Sequence, residues 1–392
     1  MIAPHIGCSL NVLFCPAGLA YADGMEEIPF KAQPNVAHSA HRGAGLNRPG
    51  RFEPHDRLIT DDGWDSWNDP DLPPLATTVT EDATRTIIAR NDSPDIPFDR
   101  SINAYRGCEH GCIYCYARPT HNFLGLSSGL DFETKLFVKS DAPELLAREL
   151  SAPGYRAKPI HPIAIGTNTD PYQPVERHYQ VIRGVLEVLS AFNHPVTITT
   201  KSAMVLRDLD LLTSLARRGL ASVSLSITTL DRDLARRMEP RATPPAGRLA
   251  ALECLSAAGI PTAVMAAPMI PGLNDHELEA ILAAARDGGA RTASFILLRL
   301  PLDVRELFQD WLATHYPDRA ERVLSLIRQT RHGDLDTGRF GERMRGTGPV
   351  AELLAQRCAI ACRRLGLDKG YPKLRTDLFK PPPKPGDQLT LF

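Results

Sequence analysis

Residues 105–119 read YRGCEHGCIYCYARP and follow a short apolar run. The stretch holds three cysteines in a C-x3-C-x2-C pattern: Cys108, Cys112 and Cys115. Thiolates are soft ligands that suit zinc and iron–sulfur centres. The spacing therefore predicts a compact metal-binding loop directly after a strand.

Two glycines, Gly107 and Gly111, give this loop the backbone freedom that wrapping a metal centre requires. Three cysteines on a four-iron cluster leave one iron open to a small molecule, whereas four would close the cluster for electron transfer. The alternative is a zinc site with His110 or His121 as the fourth ligand. Because zinc sites usually pair two short knuckles and no second knuckle is well placed, the iron–sulfur interpretation is favoured.

After the loop, apolar or β-branched runs alternate with amphipathic stretches, the pattern of repeated βα units on a parallel sheet. Six strands are predicted, at residues 101–105, 162–166, 195–200, 221–228, 261–266 and 293–298. Helices are predicted at residues 145–150, 180–192, 206–219, 244–258, 275–288, 304–314, 319–329 and 350–365. Six βα units in order predict an α/β fold that forms an open or partial (βα)6 barrel.

We divide the chain into an irregular acidic N-terminal arm (1–97), the core (98–303), C-terminal helices that cap the barrel (304–379) and a proline-rich linker with an apolar tail (380–392). Within the arm, only residues 77–91 have the pattern of regular structure.

Residues 1–24 contain an apolar run without a preceding Lys or Arg, so we interpret them as an over-extended start and a signal peptide as the alternative. No stretch of 18 apolar residues occurs, so the sequence predicts no membrane-spanning helix. We expect a cytoplasmic protein with no membrane partner.

The composition is that of a globular protein, with 392 residues of which 43% are hydrophobic and 23% charged. Eight cysteines are too few for a disulfide scaffold. The net charge of −1 conceals a division, because the first 100 residues carry 8 basic and 15 acidic side chains and the remaining 292 carry 37 and 31. The average charge therefore does not exclude a nucleic-acid partner.

The cysteine loop and three later segments resemble the radical S-adenosylmethionine superfamily, and within it the spore photoproduct lyase-like group. The segments are 107–121, 166–176 (GTNTDPYQPVE), 200–202 (TKS) and 230–240. The resemblance implies a partial (βα)6 TIM-like barrel in which Cys108, Cys112 and Cys115 hold a [4Fe-4S] cluster. S-adenosylmethionine would bind the open iron, and its one-electron reduction would give a 5′-deoxyadenosyl radical. An electron donor such as flavodoxin or ferredoxin is then also expected.

Polar residues follow the predicted strands at the end where (βα) barrels carry their chemistry. The resemblance places Thr169 and Asp170 at the amino acid end of S-adenosylmethionine, and Lys201 and Ser226 near its carboxylate. Ser224 shares the face of Ser226 because strand side chains alternate. We expect all five residues to bind the cofactor.

Tyr114 and Tyr116 flank Cys115 as tyrosines do in the lyase, where they are implicated in radical relay, so the resemblance implies a catalytic role for both. Packing against the loop is the alternative. The chain departs from the lyase at Thr167, where the lyase has a cysteine that returns a hydrogen atom to the product. A threonine hydroxyl is a poor hydrogen-atom donor, so the lyase reaction itself is not implied.

The remaining cysteines in the helical regions have the pattern of core residues rather than ligands. Cys358 and Cys362 are four residues apart on one face of a predicted helix, and Cys254 falls within another helix.

The chain ends in KPPPKPGDQLTLF, in which the last five residues resemble the pentapeptide by which bacterial DNA polymerases and repair proteins bind the β sliding clamp. In that mode Gln388 orients the peptide, and Leu389, Leu391 and Phe392 provide the apolar contacts. The alternative is a tail that packs on the barrel or has no partner.

Together these features predict a radical S-adenosylmethionine enzyme that acts on DNA, in repair or base modification, and is recruited by the sliding clamp. A radical enzyme that modifies RNA or protein is the first alternative. A clamp-bound iron–sulfur protein without turnover is the second.

Overall fold

The computed structural model describes residues 41–53 and 75–383. No helix in these ranges is long and apolar enough to cross a membrane. The predicted clamp-binding residues lie outside the described residues, as do residues 1–24. These clamp-binding residues are Gln388, Leu389, Leu391 and Phe392.

Within the described residues, ten strands form two sheets. They are β1 (Thr78–Glu81), β2 (Ile88–Arg90), β3 (Arg100–Ile102), β4 (Tyr105–Arg106), β5 (Lys135–Val138), β6 (Ile163–Ile165), β7 (Val196–Thr200), β8 (Ala221–Ser226), β9 (Thr262–Met269) and β10 (Thr292–Leu297). The larger sheet has the order β10-β9-β8-β7-β6-β3-β2, and the smaller has the order β1-β5-β4. In the larger sheet, β2 is antiparallel to β3 and every other pairing is parallel.

The six mutually parallel strands of the larger sheet, β3 and β6 to β10, correspond to the six predicted strands, which confirms the α/β fold class. The first prediction, residues 101–105, is wrong at its end. The Asn103 carboxamide oxygen accepts hydrogen bonds from the Asn168 and Thr169 backbone N–H groups at 3.0 and 3.4 Å, and the chain leaves the sheet there. Tyr105 then begins β4, which pairs with β5 in the smaller sheet.

The eight predicted helices are present with small shifts of their ends, and in the part of the chain that the structure describes four short helices that the sequence did not predict accompany them. The helices are α1 (Asp131–Thr134), α2 (Ala142–Ser151), α3 (Pro153–Arg156), α4 (Glu176–Tyr179), α5 (Val181–Ala191), α6 (Leu209–Arg217), α7 (Arg232–Met238), α8 (Pro245–Ala257), α9 (Leu278–Asp287), α10 (Val304–His315), α11 (Pro317–Gln329) and α12 (Gly348–Leu365). Those not predicted are α1, α3, α4 and α7. The predicted helices at 206–219 and 275–288 each begin with a 3-10 segment, Ala203–Asp208 and Asp275–Glu277.

The main hydrophobic core lies between the larger sheet and the helices that follow its strands. On β8, Val223 and Leu225 are fully buried in this core with Leu252 and Leu255 of α8. Their neighbours on the strand are serines, so β8 presents an apolar face to the helices and a hydroxyl face to the barrel interior.

A second core joins the cysteine loop to the C-terminal helices. Ile113 packs in it with Leu298 after β10 and with Phe308 and Trp311 of α10. Helices α10 and α11 therefore support the loop, whereas α12 packs on α9 and β10.

The cysteines outside the loop have two different environments. Cys358 and Cys362 are buried in α12 with their sulfur atoms 3.9 Å apart, which confirms them as core. Cys254 is exposed on α8, so its placement in the core was wrong. Helical spacing alone did not distinguish the outer side of α8 from its sheet-facing side.

Candidate radical S-adenosylmethionine site

The loop that carries the three cysteines runs from β4 to the 3-10 segment Arg118–Leu124. Gly107 and Gly111 both have a positive φ, 79° and 66°, as the wrapped loop required. The Cys108 N–H donates to the Phe132 carbonyl at 3.0 Å, and the Ile113 N–H donates to the Met238 carbonyl at 3.0 Å. Contacts distant in the sequence therefore fix both halves of the loop.

A fully buried arginine, Arg118, binds the backbone of the cysteine loop. The Arg118 guanidinium donates to the Cys112 carbonyl at 2.9 Å, to the Gly111 carbonyl at 3.2 Å and to the Glu133 carboxylate at 2.5 Å. Glu133, also fully buried, accepts the N–H groups of Gly43 and Ala44 at 2.8 and 2.9 Å. This ion pair connects the loop to the N-terminal arm.

The N-terminal arm packs so closely on the cysteine loop that Gly43 has no space for a side chain. A Cβ atom built there would lie 1.7 Å from the Gly111 carbonyl oxygen. Residues 41–46 are thus part of the wall of the site, although the sequence predicted only an irregular arm.

The three thiols are free, and Cys108 and Cys112 are buried, while Cys115 is half-buried. Burial raises the pKa of all three, and for Cys112 the Glu239 carboxylate adds to burial and raises the pKa to about 12. The Lys201 ammonium group lowers the pKa of Cys112 and Cys115, in opposition to burial. The chemistry of the three thiols and their shared loop fit a thiolate-bound metal centre, which would replace the thiol protons on binding.

The two histidines of the zinc alternative have other partners. His110 lies with its Nδ1 atom 3.4 Å from the Asp170 carboxylate, and the His121 Nε2 atom is 2.9 Å from the Lys135 carbonyl. Within residues 41–53 and 75–383, no group of three or more Cys, His, Asp or Glu side chains is arranged to hold a single metal ion.

Asp170 lies after β6 and links two strand ends. Its carboxylate accepts the Thr200 hydroxyl and the Lys201 N–H, both at 2.7 Å. Burial would raise the pKa of Asp170, but His110 and these hydrogen bonds outweigh it and lower the pKa to about 2. The Asp170 backbone lowers the pKa of the Cys108 thiol in opposition to burial, so this segment lies beside the cysteine loop.

Lys201, after β7, reaches across to the last residue of β8. Its ammonium group donates to the Ser226 hydroxyl at 2.9 Å, and Ser226 donates to the Ala267 carbonyl at 3.0 Å. Ser224 is buried one pleat earlier on the same face of β8. The predicted cofactor residues Asp170, Lys201 and Ser226 are therefore brought together.

Thr169 is the fifth predicted cofactor residue, and its hydroxyl donates to the Tyr105 carbonyl at 3.3 Å. It is buried beside Gln173, whose carboxamide accepts the Glu109 N–H at 2.8 Å and donates to the Gly107 carbonyl at 3.2 Å. The segment after β6 thus supports the first turn of the cysteine loop.

Tyr114 is buried, and its hydroxyl donates to the Glu239 carboxylate. Glu239 forms an ion pair with the buried Arg248. Burial would raise the pKa of Glu239, but Arg248 and Lys201 lower it to about 2, so the carboxylate is charged. The Lys201 ammonium lies 5.8 Å from the centre of the Tyr114 ring.

Tyr116 is on the solvent side of the loop, 48% exposed. Its hydroxyl donates to the Thr167 carbonyl, and the Arg299 guanidinium lies over its ring at 5.5 Å from the ring centre. The two tyrosines therefore differ in environment, one in a buried charge network and one at the mouth of the site.

Sequence reasoning missed several residues of the site. Glu239 lies within the segment 230–240 that was identified, but neither its charge network nor Arg248 had a recognisable spacing. Asn103, Glu133 and Gln173 act through contacts between distant segments, for which the sequence carries no local signal.

A three-cysteine loop at the carboxyl ends of a six-stranded parallel (βα) array, with a polar layer beside it, defines a radical S-adenosylmethionine type of site. The family model "Radical SAM superfamily" matches residues 102–285. The chain belongs to the radical S-adenosylmethionine superfamily and is a radical S-adenosylmethionine enzyme.

Three comparisons show which proteins this chain is similar to. A protein of Mycobacterium tuberculosis is 37% identical over 236 residues, which are 60% of this chain and 68% of that protein. A protein of Methanocaldococcus jannaschii is 27% identical over 222 residues, 57% of this chain and 78% of that protein. The structure of spore photoproduct lyase complexed with dinucleoside spore photoproduct has a TM-score of 0.53 at 17% identity and covers 73% of this chain and 78% of that one.

We predict that Glu133→Gln destabilises the protein by about 3–5 kcal/mol, because it leaves the buried Arg118 charge without its anion. The change should appear as a lower midpoint of unfolding in urea.

Glu187→Gln is the matched control, since Glu187 is an exposed partner of Arg183 at 3.4 Å. An exposed pair of this kind contributes less than about 1 kcal/mol. Equal effects of the two variants would contradict the role assigned to the Arg118–Glu133 pair.

Proposed function

We propose that this protein is a cytoplasmic radical S-adenosylmethionine enzyme that acts on DNA, in repair or modification of a base, and is brought to DNA by the β sliding clamp. The observation that carries the radical chemistry is the convergence of the cysteine loop with the polar ends of β6, β7 and β8. An electron donor such as flavodoxin or ferredoxin would supply the reducing electron.

In this proposal Cys108, Cys112 and Cys115 hold a [4Fe-4S] cluster whose open iron takes S-adenosylmethionine. When bound, the cluster and S-adenosylmethionine together supply a 5′-deoxyadenosyl radical. Lys201 offers an ammonium group for the cofactor's carboxylate, and the anionic Asp170 fixes the Lys201 backbone. Thr169, Ser224 and Ser226 provide hydroxyl groups at the same end of the sheet.

The two tyrosines take different roles. Tyr114 is a candidate for radical relay because its hydroxyl already donates to a charged carboxylate that can accept its proton. Tyr116 is a second candidate, and its exposed ring would face the substrate.

The choice of DNA is supported by the clamp-like tail and by the segments that resemble the lyase-like group. The lyase solved with a dinucleoside spore photoproduct has a similar fold at 17% identity, so it supports the fold and not the substrate. RNA or protein as the substrate is the second candidate.

The cluster assignment predicts that anaerobically reconstituted protein binds about four irons and cleaves S-adenosylmethionine on reduction. Cys112→Ala should lose cleavage to the background level, measured as 5′-deoxyadenosine by liquid chromatography.

Cys254→Ala is the control for that variant, because Cys254 is an exposed thiol outside the loop. It should keep the iron content and cleavage of the original protein. Full cleavage by Cys112→Ala would overturn the assignment.

The DNA assignment predicts transfer of deuterium from labelled DNA into 5′-deoxyadenosine, detected by mass spectrometry. Oligonucleotides with damaged or modified bases should give transfer above that of RNA of the same sequence. Transfer only from RNA or from protein would establish the second candidate instead.

The tail assignment predicts that deletion of residues 388–392 abolishes capture by immobilised sliding clamp. Apolar anchors carry most of the energy of such peptides, so Phe392→Ala should weaken capture at least tenfold. Thr390→Ala, which changes a residue between the anchors, should bind as the full chain does. Unchanged capture after the deletion would exclude the tail as the contact.

A further inference from the structure

Arg299 is a half-buried cation at the mouth of the site. It lies two residues beyond β10, and among the described residues its buried Nε–H has no hydrogen-bond partner. Its only hydrogen bond within the described ranges runs to the Met344 sulfur at 3.9 Å. Its guanidinium also lies over the Tyr116 ring, 5.5 Å from the ring centre.

The nearby carboxylates do not neutralise this guanidinium by direct contact. Asp336 accepts the Leu300 N–H at 3.3 Å, and Asp95 is engaged by the Gly341 N–H at 2.6 Å and by Arg343 at 2.5 Å. Arg343 and Arg331 are close enough to Arg299 to add positive potential. A buried donor that lacks an acceptor is costly to the free protein, which favours an anionic ligand at this position.

The segment that covers Arg299 is the loop between α11 and α12, residues 330–347, which we call the basic loop. It is bound to the end of β10. Arg331 donates to the Leu298 carbonyl at 2.7 Å and to the Glu342 carbonyl at 2.9 Å. The Leu297 N–H donates to the Met344 carbonyl at 3.0 Å. The loop is therefore held against the same strand end from which Arg299 projects.

Two further arginines of this loop extend the positive surface. Arg339 and Arg345 are exposed and form no side-chain hydrogen bond or ion pair within the described ranges. Phe340 is 59% exposed, with the Arg343 guanidinium 4.6 Å from its ring centre. Cations beside an exposed aromatic ring are the combination that binds a nucleic-acid backbone and an unstacked base.

We propose that Arg299 binds a phosphodiester group of the nucleic-acid substrate at the mouth of the site, beside Tyr116, with Arg339 and Arg345 as outer phosphate contacts. This inference rests on the proposed function and specifies where its substrate lies. The planar guanidinium suits two phosphate oxygens at once. The guanidinium carbon lies 5.5 Å from the centre of the Tyr116 ring, and Tyr116 follows Cys115 directly in the chain.

The experiment compares binding of a fluorescein-labelled 12-residue single-stranded deoxyoligonucleotide by the reconstituted full chain and its variants, using fluorescence anisotropy at several salt concentrations. Arg299→Gln should weaken binding about tenfold and reduce the slope of log affinity against log salt by about 0.7, the value for one phosphate contact on a single strand. Arg299→Lys should keep the slope but not the full affinity, because its charge lacks the planar fork.

Arg364→Gln is the matched control, an exposed arginine on α12 without a partner in the described ranges. It should leave both affinity and salt slope unchanged. Arg299→Gln should also keep or raise the melting temperature of the free protein, since it removes an unpaired buried donor. A residue with a merely structural role would show the opposite shift.

Binding of S-adenosylmethionine, measured by equilibrium dialysis, separates the two sources of an anion. Unchanged cofactor binding with weaker DNA binding by Arg299→Gln supports the proposal. Weaker cofactor binding with unchanged DNA binding assigns Arg299 to the cofactor carboxylate and overturns it.

Wild-type affinity and salt slope in Arg299→Gln would overturn the proposal while leaving the proposed function intact. Absence of DNA binding by the original protein, with S-adenosylmethionine cleavage retained, would instead reject DNA as the substrate.

Discussion

The buried ion pair between Arg118 and Glu133 is the constraint on which the site depends. Arg118 donates to the Cys112 and Gly111 carbonyls of the cysteine loop, and Glu133 neutralises its charge while binding the backbone of the arm. A buried charge is tolerated only with such complete pairing. The loop therefore cannot take its shape independently of α1, which carries Glu133, or of the arm at Gly43.

Negative and positive side chains alternate around this loop. Asp170, after β6, and Glu239, after α7, are anionic; Lys201 and Arg248 lower the pKa of Glu239, and Arg248 forms an ion pair with it. Each carboxylate has its own cation or hydrogen-bond donors, so both stay charged although they are buried. A site arranged in this way can hold polar ligands in a fixed orientation without further rearrangement.

The sequence was sufficient for the features that depend on local pattern. Apolar and β-branched runs located the six parallel strands, and the C-x3-C-x2-C spacing located the loop. It was insufficient where a side chain replaces a backbone partner, as Asn103 does at the end of β3. It also could not reveal Glu133 or Arg248, because ion pairs between distant segments leave no periodic signal. The smaller sheet was missed for the same reason, since β1 pairs with β5 more than 50 residues away.

The chain departs from the pattern of the lyase-like group that it resembles at Thr167, on the substrate side of the proposed site, whereas the three cysteines match that pattern. Thr167 has its carbonyl bound by Tyr116 and its hydroxyl 3.4 Å from Asn103, so this position ties the strand end to the loop. Within the proposed function, a hydrogen atom for the product cannot come from that hydroxyl, because its O–H bond is a poor donor. The cysteine loop and polar strand ends thus suit the initiation of radical chemistry, while in the proposed function Thr167 and the basic loop between α11 and α12 would form the substrate region.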